Sequence, residues 1–459
     1  MANDASAAPL TPPTAGAQPS GVGLGTLFAT FLQIGVTAFG FTMLQKVIQL
    51  VVQKKRWVTR EQADHGLALV QLYPGPIMVD FTAYVGYRLR GVTGALMAVL
   101  GFVLPSFALM IALSAVYFAT GSVPIVHALF AGLDALVVGV VLNLTLDFGQ
   151  RSLKGPVQAT LAVVAFAVML FGLNALIAIL VALVVGAFLL RPTSTAAAQE
   201  HASGPAAPAS GGPTSAATSM PTAAPVSAAA STPTTAPVSA APVSAAPLGQ
   251  LATAHVRGLK LWLPIAATAA VVGAAAVAAA VRGGTSGALT LSFLKIGSVA
   301  FGNGATIMPL IQADAVTHYH WLTMSQFADG IALGQITPGP FLITAAFVGY
   351  KVGGLLLALL ATFAIFAPSF AMTLVFTEIF EHLHTLSWVR GALAGILAAF
   401  VGLLAVVTLQ LGGVTHGRAG LLTLAAIAFI AVRFFKLDVL WVFAGGLGIW
   451  AAMHALGAA

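Results

Sequence analysis

The chain has 459 residues, of which 59% are apolar and only 7% are charged, and its formal net charge is +7. So little polar surface excludes a soluble globular protein, and a mean hydropathy of +0.99 is typical of a polytopic membrane protein. Because the chain contains no cysteine, disulfides, thiolate metal sites and thiol catalysis are excluded. The basic residues lie beside apolar segments and form no tract, so they indicate membrane orientation and not nucleic-acid binding.

The chain divides by composition into five segments. Residues 1–22 contain no Lys or Arg and no apolar core, so they are predicted to be a disordered N-terminal tail. A first repeat is predicted over 23–190, an Ala/Pro/Ser/Thr-rich flexible linker over 191–258, one extra transmembrane helix within 259–283, and a second repeat over 284–459.

Each repeat contains six apolar elements, which are predicted to be helices because lipid offers backbone groups no other partner. In the first repeat they lie at about 24–52, 63–90, 93–119, 124–147, 156–171 and 173–190. In the second they lie at about 289–312, 325–351, 355–380, 388–411, 418–433 and 438–457.

The two repeats carry the same motifs in the same order. FLQIGVTAFG at 31–40 matches FLKIGSVAFG at 293–302, QLYPGP at 71–76 matches QITPGP at 335–340, and PSF at 105–107 matches PSF at 368–370. The offset of 262 to 264 residues indicates an internal duplication. Since one unpaired helix separates the repeats, equivalent elements differ by an odd number of crossings, and the halves are expected to face opposite ways.

The predicted fold is therefore an all-α polytopic membrane protein with two homologous halves in inverted orientation and one extra helix between them. Each half has two broken or re-entrant elements plus about four spanning helices. Re-entrant hairpins keep Lys54, Lys55, Arg56 and Arg60 on the cytoplasmic side, whereas full crossings would move them outside. This topology predicts a cytoplasmic N-terminus and linker and a periplasmic C-terminus.

Two breaks interrupt the apolar sequence of each half. Pro-Gly-Pro ends one half-helix and begins another, and glycines mark the second break in AFGFTM at 38–43 and AFGNGATIM at 300–308. A half-helix N-terminus presents free N–H groups and the positive end of its dipole, so such ends attract an anion. The residues predicted to bind the anion are Gly40, Thr42, Gln71, Pro74, Gly75, Pro76, Lys295, Gly302, Asn303, Gly304, Gln335, Thr337, Pro338, Gly339 and Pro340.

For several of these residues a purely structural explanation competes with the predicted anion site. A single Pro-Gly-Pro is as often only a packing kink, but two copies, each preceded by Gln at the same spacing, favour a function. Lys295 either binds the anion or extends its ammonium group to the nearby interface. Asp80 either hydrogen-bonds structurally or carries a proton, and it is the candidate for proton coupling.

The remaining titratable residues are interpreted as structural or solvated. Asp134, Asp147 and Asp438 lie in or near later elements and are assigned structural roles. The histidine pairs at 318/320 and 382/384 lack further convergent ligands, so neither a metal site nor a cofactor is predicted.

The paired PGP elements, the repeated VGY and PSF motifs, and a tryptophan ahead of each broken unit resemble the long, two-domain form of the chromate ion transporter family. The resemblance covers nearly everything outside the tail and linker. It implies a bacterial inner-membrane protein that exports chromate, with sulfate as the isosteric anion, powered by the proton-motive force. The family's motif positions fall on Gly40, Trp57, Gln71, Pro74, Gly75, Pro76, Gly86, Gly302, Gly304, Trp321, Gln335, Pro338, Gly339, Pro340 and Gly349.

The first half departs from the family pattern in two places. Phe41 and Thr42 stand where the family has a glycine and a proline, and Asp80 is an unexpected residue at its position. The resulting expectation is a secondary active transporter of an oxyanion whose partners are the anion, protons and lipid, with a homodimer left open. Transport of sulfate or another small anion on the same fold, and a passive anion channel, are the alternatives; an enzyme is not expected, because no convergent Ser/His, His/Glu or Cys set is present.

Overall fold

The structure is a computed structural model that describes residues 22–37, 43–120, 123–190, 259–302, 304, 306–383, 387–415 and 419–455. The predicted linker and nearly all of the predicted N-terminal tail lie outside these residues. Gly40, Thr42 and Asn303 also lie outside them.

The described part of the chain is almost entirely helical, as its apolar segments predict. The helices of the first half are α1 Leu24–Thr37, α2 Met43–Ile48, α3 Arg60–Val70, α4 Ile77–Thr120, α5 Pro124–Ser152, α6 Pro156–Leu170 and α7 Ala175–Leu189. The extra helix is α8 Leu259–Arg282. The second half has α9 Gly284–Val299, α10 Ile307–Ile311, α11 Met324–Ile336, α12 Thr344–Leu383, α13 Ser387–Val414, α14 Ala419–Arg433 and α15 Val439–Ala455.

Shorter elements complete the two halves. Two π-helices occur at Gln49–Lys54 and Gln312–His318, and a 3-10 turn at Phe341–Ile343. Within the described residues, four segments are long and apolar enough to cross a membrane: Ile77–Thr120, Ala128–Ser152, Phe341–Glu378 and Trp388–Gly413. The chain is therefore a multi-pass membrane protein, as its composition predicts.

The predicted breaks are present at both Pro-Gly-Pro sequences. The helix α3 ends at Val70 and α4 begins at Ile77, directly after Gly75 and Pro76. In the second half α11 ends at Ile336, and the 3-10 turn and α12 follow Pro340. Proline produces both breaks, because it cannot donate a backbone hydrogen bond and clashes with the preceding turn.

The helices that lead into these breaks begin in the same way. Thr59 accepts a hydrogen bond from the Gln62 N–H while the Gln62 side chain accepts one from the Thr59 N–H, and Thr323 and Gln326 repeat this capping box 264 residues later. Each box satisfies two backbone donors that a helix start leaves open. The duplicated sequence therefore specifies the same start for α3 and α11.

The packing of equivalent helices relates the two halves to each other. At one end of the α4–α12 pair, the Tyr87 hydroxyl donates a 2.9 Å hydrogen bond to Glu378 Oε1. Phe118 stacks on Tyr350 at the other end, with ring centroids 6.2 Å apart. Both α4 and α12 bend sharply, at Arg90–Gly91 and at Gly353–Gly354, and in each contact the segment before the bend in one half meets the segment after the bend in the other. This reciprocal exchange relates the halves by an approximate two-fold axis, as the inverted arrangement predicted from the crossing count requires.

A threonine pair marks the approximate two-fold axis. The Thr145 and Thr408 hydroxyl oxygens lie 2.8 Å apart, and the two positions are repeat equivalents on α5 and α13. A residue contacts its own equivalent only where it lies close to the axis that relates the repeats. The pair therefore locates that axis between α5 and α13.

The last two helices of each half pack on the fifth helix of the other half. Helices α6 and α7 lie against α13, and α14 and α15 lie against α5. Glycines allow this close approach: a Cβ atom on Gly139 would overlap the Ala425 carbonyl oxygen, and one on Gly402 would overlap that of Ala162. The two contacts are repeat equivalents, and they interlock the halves.

Candidate functional site

Three of the four predicted breaks meet inside the molecule. Gly75 and Pro76 pair with Phe301 and Gly302 as a two-residue parallel bridge, which joins the first Pro-Gly-Pro to the glycine break of the second half. That glycine break contacts the second Pro-Gly-Pro, because a Cβ atom on Gly304 (φ +90°) would lie 2.8 Å from the Phe341 Cβ. The remaining break, at 38–42, lies outside the described residues.

A serine from the opposite half packs against each Pro-Gly-Pro. The Ser106 hydroxyl donates a hydrogen bond to the Pro338 carbonyl oxygen, and a Cβ atom on Gly339 would overlap this hydroxyl. Ser369 occupies the equivalent place, because a Cβ atom on Gly75 would lie 2.8 Å from the Ser369 Cβ. Both serines belong to the repeated PSF motif, so the motif braces the broken elements across the two halves.

Asp80 lies directly beside the first Pro-Gly-Pro. Its carboxyl group is fully buried and fills the space that a side chain on Gly75 would need. Neither oxygen accepts a hydrogen bond of ordinary geometry from the described residues, although the Ser369 and Thr373 hydroxyls lie close by. The Thr373 hydroxyl is instead within 2.8 Å of the Tyr73 hydroxyl and donates to the Ser369 carbonyl oxygen at 2.9 Å.

This environment disfavours a permanent charge on Asp80. A buried carboxylate without a cation carries a large desolvation cost, whereas a neutral carboxylic acid does not. The first turn of α4, where Asp80 lies, offers the positive end of a helix dipole as partial compensation. The equivalent residue of the second half is Thr344, whose hydroxyl donates to the Phe341 carbonyl oxygen at 2.8 Å. The broken region is therefore asymmetric.

Lys295 forms an ion pair within the second half. Its ammonium group contacts the Asp314 carboxylate, which also accepts a hydrogen bond from the Ser292 hydroxyl. The Lys295 side chain is 34% exposed and that of Asp314 is 13% exposed. An incoming anion would have to compete with Asp314 for this lysine, and anion binding by Lys295 stays a prediction.

The other predicted site residues differ in their availability. Gln71 caps the exposed C-terminal end of α3, and Gln335 is half-buried in the last turn of α11. The buried Thr337 hydroxyl donates a 2.7 Å hydrogen bond to the Leu333 carbonyl oxygen. Among the described residues, no group of three His, Asp or Glu side chains is arranged to hold a metal ion. The structure thus brings the glycines and prolines of the breaks close together, while several of the predicted polar site residues already have a hydrogen-bond or ion-pair partner.

The arrangement defines a class of membrane protein. Two repeats whose broken helices meet in the interior are the architecture of many membrane transporters. The chain belongs to the chromate transporter family, whose sequence profile matches residues 25–187 and 287–451, one match in each repeat. The family resemblance predicted from the motifs is confirmed.

Several relatives align along most of the chain. A chromate transport protein from Pseudomonas aeruginosa is 29% identical over 462 residues, which cover 98% of each chain. One from Cupriavidus metallidurans is 26% identical over 435 residues, 92% of each chain. An uncharacterised transporter from Methanocaldococcus jannaschii is 29% identical over 385 residues, 84% of this chain and 83% of its own. No solved structure matches the chain.

Proposed function

We propose that the protein is a secondary active transporter that exports chromate across the bacterial inner membrane at the expense of the proton-motive force. The observation that carries the proposal is the meeting of broken elements from both halves at Gly75–Pro76 and Phe301–Gly302. Half-helix N-termini at such a junction offer N–H groups and dipoles to an oxyanion. Two relatives aligned along nearly the whole chain are named chromate transport proteins, which supports chromate as the first substrate to test.

The two components of the proton-motive force, the membrane potential and the proton gradient, act at different places. An inside-negative membrane potential favours expulsion of an anion by about 2.3 kcal/mol per charge per 100 mV. Asp80 supplies a proton site: an ionised carboxylate beside Gly75 would repel an oxyanion, so the anion binds when Asp80 is protonated. Proton binding and anion binding at this junction are therefore linked.

The proposed topology places the N-terminus and the linker in the cytoplasm, the C-terminus in the periplasm, and the first two elements of each half in re-entrant hairpins. The side of the membrane on which residue 55 lies distinguishes re-entrant hairpins from full crossings, because Lys55 lies on the exposed connection between the first two elements. The chain contains no cysteine, so Lys55→Cys gives a single labelling site. Cytoplasmic labelling is expected, and labelling from the periplasmic side alone would contradict the hairpins.

Flux measurements in oriented membrane vesicles test the function. Labelled chromate and labelled sulfate are offered to inside-out vesicles with and without an imposed pH gradient. Chromate uptake that responds to the gradient and is inhibited by sulfate is expected. Absence of chromate flux in either direction would refute the proposal, sulfate flux alone would identify the alternative anion, and flux independent of the proton gradient would identify a channel.

A further inference from the structure

An apolar cavity lies between α4, α12 and the extra helix α8. Its volume of about 680 Å³ lies within the range of about 300–1,000 Å³ that is typical of ligand-binding cavities. The walls contributed by α4 and α12 contain repeat equivalents, namely Leu96 and Leu359, Leu100 and Phe363, and Val103 and Phe366. Val271 and Val272 of α8 belong to the third wall. The cavity therefore lies between symmetric surfaces of the two halves and is completed by a helix that the duplication does not supply.

One side of the cavity is open to the hydrocarbon of the membrane. Leu96, Leu100 and Leu104 follow one another at i, i+4 spacing along α4 and are 43%, 52% and 46% exposed. Leu359 and Phe363 expose the equivalent surface of α12. Both helices belong to segments long and apolar enough to cross a membrane, so the opening faces lipid chains.

The walls suit a hydrocarbon chain and not a polar ligand. Apart from three threonines, the described lining side chains are apolar. The Thr93 hydroxyl donates to the Arg90 carbonyl oxygen at 3.1 Å, and the Thr362 hydroxyl donates to the Ala358 carbonyl oxygen at 2.8 Å. An oxyanion in this cavity would lose its hydration without meeting a charged lining residue.

One end of the cavity lies at a pair of exposed arginines. The helix α4 bends at Arg90 and Gly91, and the lining begins directly after the bend, at Val92. Arg88 and Arg90 are exposed, and exposed arginines lie at the membrane interface because their transfer into hydrocarbon is costly. From Val92 to Phe107 the lining follows α4 for about 22 Å, which exceeds the half-thickness of about 15 Å of a hydrocarbon core. The cavity therefore extends from a cationic interface into the membrane core.

We propose that this cavity binds an acyl chain of an anionic phospholipid whose phosphate group contacts Arg88 and Arg90. Guanidinium groups recognise phosphate by charge and by paired hydrogen bonds, and basic residues next to a membrane segment attract anionic lipids. The lipid lies between equivalent helices of the two halves and stabilises the packing of α4, α12 and α8. This inference goes beyond the proposed function, because it uses no residue of the broken elements and does not depend on which anion is carried.

Native mass spectrometry of the detergent-purified protein measures lipid binding and oligomeric state together. The protein is offered an equimolar mixture of phosphatidylglycerol and phosphatidylcholine, and it is expected to retain phosphatidylglycerol with a preference of about tenfold. Arg88→Gln combined with Arg90→Gln is expected to abolish this preference, because the remaining apolar contacts do not distinguish the two lipids. Lys154→Gln combined with Lys436→Gln removes the same charge from exposed connections outside the lining and should keep the preference.

A second substitution tests the location of the acyl chain. Leu100→Trp places a larger side chain in the open side of the cavity and is expected to abolish retention of phosphatidylglycerol. Leu109→Trp is the matched control, because Leu109 is exposed on the same helix but does not line the cavity. This control is expected to retain the lipid as the unsubstituted protein does.

Three results would overturn the proposal: no retained phosphatidylglycerol in the unsubstituted protein, an unchanged preference in the Arg88/Arg90 variant, or unchanged retention in Leu100→Trp. A lipid-free dimer that Leu100→Trp converts to a monomer would instead assign the cavity to a second copy of the chain. Thermal unfolding identifies variants that are not folded. Because Arg88 and Arg90 are exposed, their substitution keeps the test decisive even if Leu100→Trp does not fold.

Discussion

Asp80 lies in the first turn of α4, where its carboxylate and a bound oxyanion would compete for the same helix N-terminus. In the unsubstituted protein, chromate affinity is therefore expected to fall as rising pH ionises Asp80. Asp80→Asn removes that charge, so we expect affinity at high pH to rise by about tenfold, equivalent to about 1.4 kcal/mol, and its pH dependence to flatten. Calorimetric titration of the purified protein with chromate across a pH series measures both effects.

The control for Asp80 is Asp64→Asn. Asp64 is paired with Arg60 on the exposed surface of α3, the helix that leads into the same Pro-Gly-Pro. This variant should bind chromate with the pH dependence of the unsubstituted protein. If Asp80→Asn also keeps that dependence, Asp80 has no part in linking the proton to the anion.

Lys295 and Asp314 allow a test in which two substitutions act in opposite directions. Lys295→Gln removes a positive charge next to the glycine break of the second half and is expected to weaken chromate affinity. Asp314→Asn removes the internal partner of the same lysine and is expected to strengthen it, because the ammonium group becomes available to the anion. Lys436→Gln, on an exposed connection, should leave affinity unchanged. Equal shifts in the same direction for the two variants would indicate a structural ion pair and no anion ligand.

At the scale of elements, the two Pro-Gly-Pro turns depend on glycine for different reasons. Gly339 has a φ of +109°, a conformation that side chains disfavour, and any Cβ there would meet Ser106. Gly75 has an unstrained backbone but no space, because Asp80 and Ser369 occupy its surroundings. Gly339→Ala and Gly75→Ala are each expected to cost about 1–3 kcal/mol of stability and to abolish chromate flux.

Gly445→Ala is the matched control for these turns, since a Cβ atom at Gly445 on α15 would meet nothing within 4 Å. Thermal unfolding in detergent and flux in vesicles measure the two consequences separately. Normal flux in Gly75→Ala would show that the packing of Asp80 against the first break is not needed for transport.

The elements themselves were predictable because each depends on local sequence. Apolar length specifies the helices, the prolines specify the breaks, and the repeated motifs specify the inverted halves. The contacts that complete the site depend on partners far along the chain. Ser106 meets Pro338 across 232 positions, and Asp134 meets a partner on α11 that no periodicity connects to it. From sequence alone, Asp134 is therefore assigned a structural role, and the PSF motif indicates duplication and family resemblance without showing which residues its serine contacts.

At the scale of the whole molecule, the halves are interlocked and not merely joined. The fifth helix of each half is covered by the last two helices of the other, through close contacts at Gly139 and Gly402. A half on its own would leave these small-residue surfaces unpacked. The linker is therefore not required to hold the halves together once they have folded, and the contacts at the two-fold axis should survive its removal.

Cleavage of the linker tests this organisation at the Thr145–Thr408 pair. With a protease site inserted in the linker, Thr145→Cys and Thr408→Cys introduce the only two thiols of the chain at positions whose hydroxyl oxygens lie 2.8 Å apart. After mild oxidation and cleavage, the halves are expected to migrate as one species in denaturing gels without reductant and as two with it.

Thr423, exposed on α14, provides the control: Thr145→Cys with Thr423→Cys should give separated halves. Separated halves from the Thr145/Thr408 variant would place the two-fold axis elsewhere. Cross-linked protein that still exchanges chromate would show that α5 and α13 stay in contact while the broken elements move.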